Sequence, residues 1–187
     1  MQFQKNHGAV RGFAWLMKFS AWLAAIPNRI TPPPFRLMQL GSAFWQSRVL
    51  YVAARLDIAS MLGDTPLAAD ALAGRLAVQP DALYRLLRML AAMGIFAETS
   101  PRVFANNRLS TYLRADNPQN VRAMILMHNS EVMSRPWYEQ LEAGVRSGSV
   151  PFESVHGQPL FRYMDEHPEF DALFASAMNS VEALAGD

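Results

Sequence analysis

The sequence predicts a mainly α fold with one small β-hairpin and additional helices at both ends. Three observations carry this expectation. Residues 80–96 (PDALYRLLRMLAAMGIF) read as a capped amphipathic helix that runs into a strand. Apolar residues recur at three and four over long stretches on both sides of it, the helical period. Two short β-prone runs, Ile95–Thr99 and Arg102–Ala105, are joined by Ser100-Pro101 and are the only strands in the pattern. Helix, hairpin and helix in this order make the back half of a winged helix, so a winged-helix-like domain is expected.

From the start of the chain, residues 9–26 (AVRGFAWLMKFSAWLAAI) form an apolar helical run interrupted by Arg11 and Lys18. The run is about as long as a membrane span needs, but Arg11, Lys18 and Ala25 fall on one stripe. The pattern fits a partner-packing helix better than a surface-lying membrane helix or a targeting segment. Pro27 and Thr31-Pro-Pro-Pro34 read as a stop and a stiff linker. A long helix is expected over 36–62 and a short one over 67–76, with Leu67, Leu72 and Leu76 inward. In the helix that begins at Pro80, Leu83, Leu86, Leu87, Leu90 and Met93 form one apolar face, and Gly94 stops it. Asn107–Leu113 is expected as a helix capped by Asn106 or Asn107. Further helices are expected over 119–133, 136–146, 158–166 and 168–185, with a loop at 149–157. The domain plan is an N-terminal arm and linker (1–35), a winged-helix-like domain (36–116) and a helical region (117–187).

The bulk composition excludes several classes. The chain is 187 residues, 51% hydrophobic and 18% charged, with a net charge of +1. The charged fraction is below the roughly 25% usual in soluble domains, which points to apolar surface covered by a partner. A near-neutral chain is not a general nucleic-acid binder. With no cysteine, there are no disulfides, thiolate metal sites or Cys nucleophiles, as expected of a cytoplasmic protein. The ten glycines contain no G-x-G pair, so no dinucleotide or phosphate loop is present. No G-x-S-x-G elbow occurs either.

His7, His128, His156 and His167 show no H-x-x-H or H-E-x-x-H spacing, so no metal site is expected. His128 is a polar step in the apolar run Met124-Ile-Leu-Met-His-Asn-Ser130. It reads either as a satisfied helix-end histidine or as a hydrogen-bonding group lining a pocket. Phe161, Tyr163, Phe170, Phe174 and Met178 form an aromatic and Met series, with the last three four residues apart on one face. Such a stripe is more often core than ligand site. The helix at 80–92 carries Arg85 and Arg88, and the hairpin adds Arg102. A DNA-binding winged-helix regulator would need these and Arg108 on one open face. Leu, Met and Ala fill most of the helix instead.

Residues 36–184 resemble the N-terminal dimerisation region of S-adenosylmethionine-dependent O-methyltransferases of small molecules, the caffeic-acid and hydroxyindole type and their bacterial relatives. The matching pieces are residues 47–58 (SRVLYVAARLDI), 80–90 with Gly94-Ile-Phe96, Trp137-Tyr138, Val150-Pro-Phe152, Gly157, Pro168-Glu-Phe170, Phe174 and Met178. The resemblance implies a winged-helix-like homodimerisation unit that does not bind DNA, followed by helices that form a lid over the substrate pocket. It implies that Met127 and His128 lie where substrate is contacted, that Trp137 packs in the same region, and that Phe174 and Met178 sandwich the ring of a small aromatic or polyketide-like acceptor; with Phe161 of the aromatic series these are the expected substrate-binding residues. The family's glycine-rich cofactor loop and catalytic base lie in a C-terminal Rossmann-like domain that nothing here matches. No catalytic or cofactor-binding residue is therefore expected in this chain, although S-adenosylmethionine is implied for the full-length family. A fragment, a truncated product and a free-standing dimerisation or ligand-sensing module all fit that departure.

Overall fold

The computed structural model describes residues 31–185. The chain falls into two compact units, Met1–Phe44 and Trp45–Asp187. The helix expected at 9–26 lies outside the described residues. Helix α1 spans Pro33–Arg55, so the expected proline linker is partly helix. Pro33 and Pro34 occupy its first turn, where a backbone N–H has no intrahelical acceptor to lose.

The single helix expected over 36–62 is two. α2 (Ile58–Leu62) follows a break at Asp57, whose φ is 53°. Neither Gly nor Pro marks the break. It is held by tertiary contacts: Arg122 Nε donates to the Ala54 carbonyl at 2.8 Å, and its guanidinium lies 3.5 Å from the Asp57 carboxylate.

Residues 67 and 68, read as helix in the sequence, form strand β1 (Leu67–Ala68) ahead of α3 (Ala69–Leu76). α4 (Pro80–Ala92) begins as expected, and the Gln79 side chain accepts from the Ala82 amide. At its other end the Gly94 and Ile95 amides donate back to Ala91 and Leu90, both at 2.9 Å. That bonding needs a left-handed residue, and Gly94 supplies it at φ 73°. β2 (Phe96–Ser100) and β3 (Val103–Asn106) make the hairpin. β1 adds to β3, so the hairpin becomes a three-stranded antiparallel sheet ordered β1-β3-β2. One core joins these elements. Leu83, Leu87 and Leu90 of α4 pack with Ile58, Leu72, Phe96 and Phe104, while Leu86 and Met93 close its edge.

The helix expected at 107–113 is a single 3-10 turn, Ser110–Leu113. Asn107 Oδ1 accepts from the Leu109 and Ser110 amides, at 2.8 and 3.1 Å. Six helices follow: α5 (Arg122–His128), α6 (Glu131–Glu139), α7 (Leu141–Ser147), α8 (Pro151–His156), α9 (Leu160–Glu166) and α10 (Pro168–Ala185). The helix expected over 119–133 is split at Asn129-Ser130. There Ser130 Oγ accepts from the Met133 amide and donates to the Met127 carbonyl. Pro136, expected to start a helix, lies inside α6. The expected loop at 149–157 contains α8, with Pro151 in its first turn and Gly157 ending it at φ 74°. No helix among the described residues is long and apolar enough to cross a membrane.

Candidate functional site

A second apolar cluster is built by α5, α6, α9 and α10. Met127, Met164, Phe170 and Ala177 are its buried members, and Met124, Met133, Tyr163, Phe174 and Met178 pack against them. Helical spacing explains the composition. On α5, Met124 and Met127 stand three apart; on α10, Phe170, Phe174 and Met178 stand four apart, with Leu173 and Ala177 between them on the same stripe. Five methionines give this cluster flexible, polarisable walls that suit contact with aromatic rings.

Of the six residues singled out on the substrate side, the fold brings three together in this cluster. Met127 is 3% exposed, and Phe174 and Met178 are half-buried. His128 ends α5 and is exposed. Trp137 on α6 is 62% exposed and Phe161 on α9 is 70% exposed, both outside the cluster.

His156 and His167, without metal-ligand spacing in the sequence, take structural places in the fold. His167 Nδ1 donates to the Tyr163 carbonyl at 2.7 Å, and its ring stacks on Tyr163 with centroids 3.7 Å apart and planes 6° from parallel. His156 lies 4.7 Å from Tyr163 and 4.4 Å from Phe152, centroid to centroid. Its Nε2 donates to the Val132 carbonyl at 2.9 Å. A carbonyl only accepts, so these bonds place the protons on His156 Nε2 and His167 Nδ1. Pro136 explains the first bond. Proline has no N–H to return to the carbonyl four residues earlier, which is that of Val132. His156 supplies the missing donor and ties α8 to α6. The sequence signal was available in Pro136 but not in the histidine.

α5 and the residue before it also line two clefts. Val121 and Ile125 join Leu50, Ile95, Tyr112 and Leu184 around an apolar one of about 380 Å³. Arg122 and Leu126 face a more polar one of about 330 Å³ with Asn120, Leu173 and Ser176.

Three cationic residues of the winged-helix part, Arg88, Arg102 and Arg114, are engaged within the fold. Arg102 donates to Asp70 at 2.7 Å and to Asp81 at 3.2 Å, and its guanidinium lies over Tyr84. The Asp70 bond, ahead of Asp81, raises its pKa above the ordinary guanidinium value. The Arg88 guanidinium also lies by the same tyrosine, 5.7 Å from its centroid. Arg114 bonds Asp116 and Asp64, and the same Arg114 bond holds the Asp116 carboxyl below its usual range. These pairings neutralise Arg102 and Arg114, leaving Arg85 and Arg108 exposed, fewer cations than the open basic face that phosphate binding requires. Among the described residues no group of His, Asp and Glu is placed to hold a metal ion.

Fold and packing together define a winged-helix module joined to a Met- and aromatic-rich helical cluster. Residues 38–116 match the family model of the O-methyltransferase dimerisation domain. A phenazine O-methyltransferase of Lysobacter antibioticus is 36% identical over 141 residues, covering 75% of this chain and 41% of the relative. The O-demethylpuromycin O-methyltransferase of Streptomyces alboniger is 32% identical over 146 residues, covering 78% of this chain and 38% of the relative. Among solved structures, LaPhzM superposes with a TM-score of 0.76 at 33% identity, over 81% of this chain and 45% of that one. Mitomycin 7-O-methyltransferase gives a TM-score of 0.71 at 30% identity, over 87% and 46%. The chain thus spans about 40% of the length of the curated relatives it matches.

Proposed function

We propose that this chain is the homodimerisation and substrate-lid part of a cytoplasmic, S-adenosylmethionine-dependent methyltransferase that acts on a hydroxyl of a small aromatic or polyketide-like acceptor. The observation that carries the reading is the cluster in which Met127, Phe174 and Met178 meet, directly after the matched dimerisation domain. Thioether and aromatic walls grip a flat ring without fixing one substituent pattern, which suits a family whose relatives are named for phenazine, puromycin and mitomycin acceptors. His128 and Trp137, exposed at the ends of the same helices, are free to meet an acceptor or another part of the enzyme. Phe161 on α9 is exposed as well.

These residues do not themselves hold the cofactor in this reading, because a glycine-rich loop is missing from their sequence. In this reading S-adenosylmethionine would supply the methyl group that the acceptor hydroxyl takes up in exchange for its proton. The residues' share of the work is to cover the acceptor ring and exclude water. Two titrations test this. With 1-hydroxyphenazine, ring-current shifts are expected at the methyl groups of Met127 and Met178 by NMR, and unshifted signals would sink the lid assignment. With S-adenosylmethionine, calorimetry is expected to give no heat of binding; micromolar affinity would overturn the cofactor part.

A further inference from the structure

Asn129 forms the turn between α5 and α6, beside Met127 and His128, and α1 grips it at two points. Ser47 Oγ donates to Asn129 Oδ1 at 3.0 Å. Arg48 Nη1 donates to the Asn129 carbonyl at 2.7 Å. The Arg48 guanidinium also lies 4.4 Å from the centroid of the Tyr51 ring, which steadies it before it reaches the turn. The Asn129 backbone amide and Nδ2 both donate back to the Ile125 carbonyl, at 3.2 and 3.3 Å. The residue is thus bonded to its own helix and to α1 together.

The chemistry suits the position. Carbonyls at a helix C-terminus lack intrahelical donors and carry the negative end of the helix dipole, so a cationic donor is favoured there. Ser47 is exposed and Arg48 half-buried, and neither belongs to an apolar cluster. Their bonds to residues more than eighty positions away therefore add little to general packing. What they fix is one turn.

We propose that Ser47 and Arg48 are positioning residues that set the turn presenting Met127 and His128, and so couple the first helix of the dimerisation domain to the acceptor side. The coupling to an acceptor rests on the lid reading above; the mechanical tie does not. α1 continues from the start of the matched domain into these two residues, so a displacement of that helix reaches Asn129 through two directional bonds. Arg122, bonded to the Ala54 carbonyl, ties the other end of α5 to the same helix.

Hydrogen exchange followed by NMR on the 187-residue chain tests the tie. Arg48→Ala is expected to speed exchange of the amides at 127–133 about tenfold, while those of Leu83–Leu90 in α4 keep their protection. Arg48→Lys, which still donates to a carbonyl, restores most of that protection. Ser47→Ala, a mild change at an exposed site, gives a smaller effect on the same amides. Unchanged exchange at the turn in Arg48→Ala overturns the proposal. So does an equal loss in α4 and the turn, which is ordinary destabilisation. The 1-hydroxyphenazine titration of the parent protein is read separately. Its failure removes the lid reading and leaves the exchange data to decide the tie.

Discussion

At the scale of single residues, backbone conformation separates what this sequence reveals from what it conceals. Ala77 ends α3 with φ 53°, and Val78 and Ala77 donate back to Ala73 and Gly74 at 3.0 and 3.4 Å. This is the same closing turn that Gly94 makes after α4. An L side chain there crowds the backbone, and glycine does not. Ala77 is exposed, so its methyl contributes no packing. Ala77→Gly is therefore expected to stabilise the protein by about 0.5–1 kcal/mol, relief of strain outweighing the extra freedom of glycine in the unfolded chain. A urea midpoint that rises with an unchanged m-value is the expected result; a lower midpoint contradicts it. Gly94 could be read from the sequence because glycine announces such a turn. Ala77 could not, and neither could Asp57, whose break depends on Arg122, 65 positions later. The candidate site divides in the same way. Helical spacing alone placed Phe170, Phe174 and Met178 on one face, whereas the partners that complete the cluster, Met124, Met133 and Met164, come together only through the packing of four helices.

At the scale of elements, short helices follow tertiary bonds more than periodicity. α8 has six residues, too few for a repeating apolar pattern, although Pro151 and Gly157 bracket it with recognisable start and stop signals. β1 is two residues of Leu and Ala, both good helix formers, and becomes strand because β3 offers an edge to pair with. α6 shows how one element corrects another: His156 of α8 satisfies the Val132 carbonyl that Pro136 leaves without a donor. His156→Ala is expected to destabilise by about 1–2 kcal/mol, through the lost bond and the unsatisfied carbonyl. The single variant also loses the ring contacts with Phe152 and Tyr163, so it does not isolate the bond. Pro136→Ala does, because an alanine N–H at 136 can reach Val132 along the helix. In that background the loss from His156→Ala is expected to shrink by about 1 kcal/mol. Equal losses in both backgrounds would mean that His156 acts through its rings alone.

At the scale of the whole molecule, the question is what covers α1. Leu37, Leu40 and Phe44 recur at three and four, so they share a face, and all are exposed, as are Phe35 and Met38. A helix this apolar is not stable against water by itself; it is the mark of an interface. The sequence carried the same message in its low charge, and residues 38–116 match a dimerisation domain. A second copy is the partner we infer, over an interface of about 1,200–2,000 Å². Light scattering over a dilution series is expected to give a dimer mass for the parent protein, and a monomer that persists at high concentration would remove the inference. Leu40→Glu buries a charge in that interface and is expected to weaken association by about 100-fold or more, since an unpaired charge there costs several kcal/mol. Circular dichroism should be unchanged, because Leu40 lies outside both apolar clusters. The monomeric variant then separates two roles of α1. The bonds from Ser47 and Arg48 to Asn129 lie within one chain, so amides at 127–133 should keep most of their protection in Leu40→Glu. If they lose it, the turn is held by the partner rather than by α1 alone, and the path from dimerisation to the acceptor side runs through the second subunit.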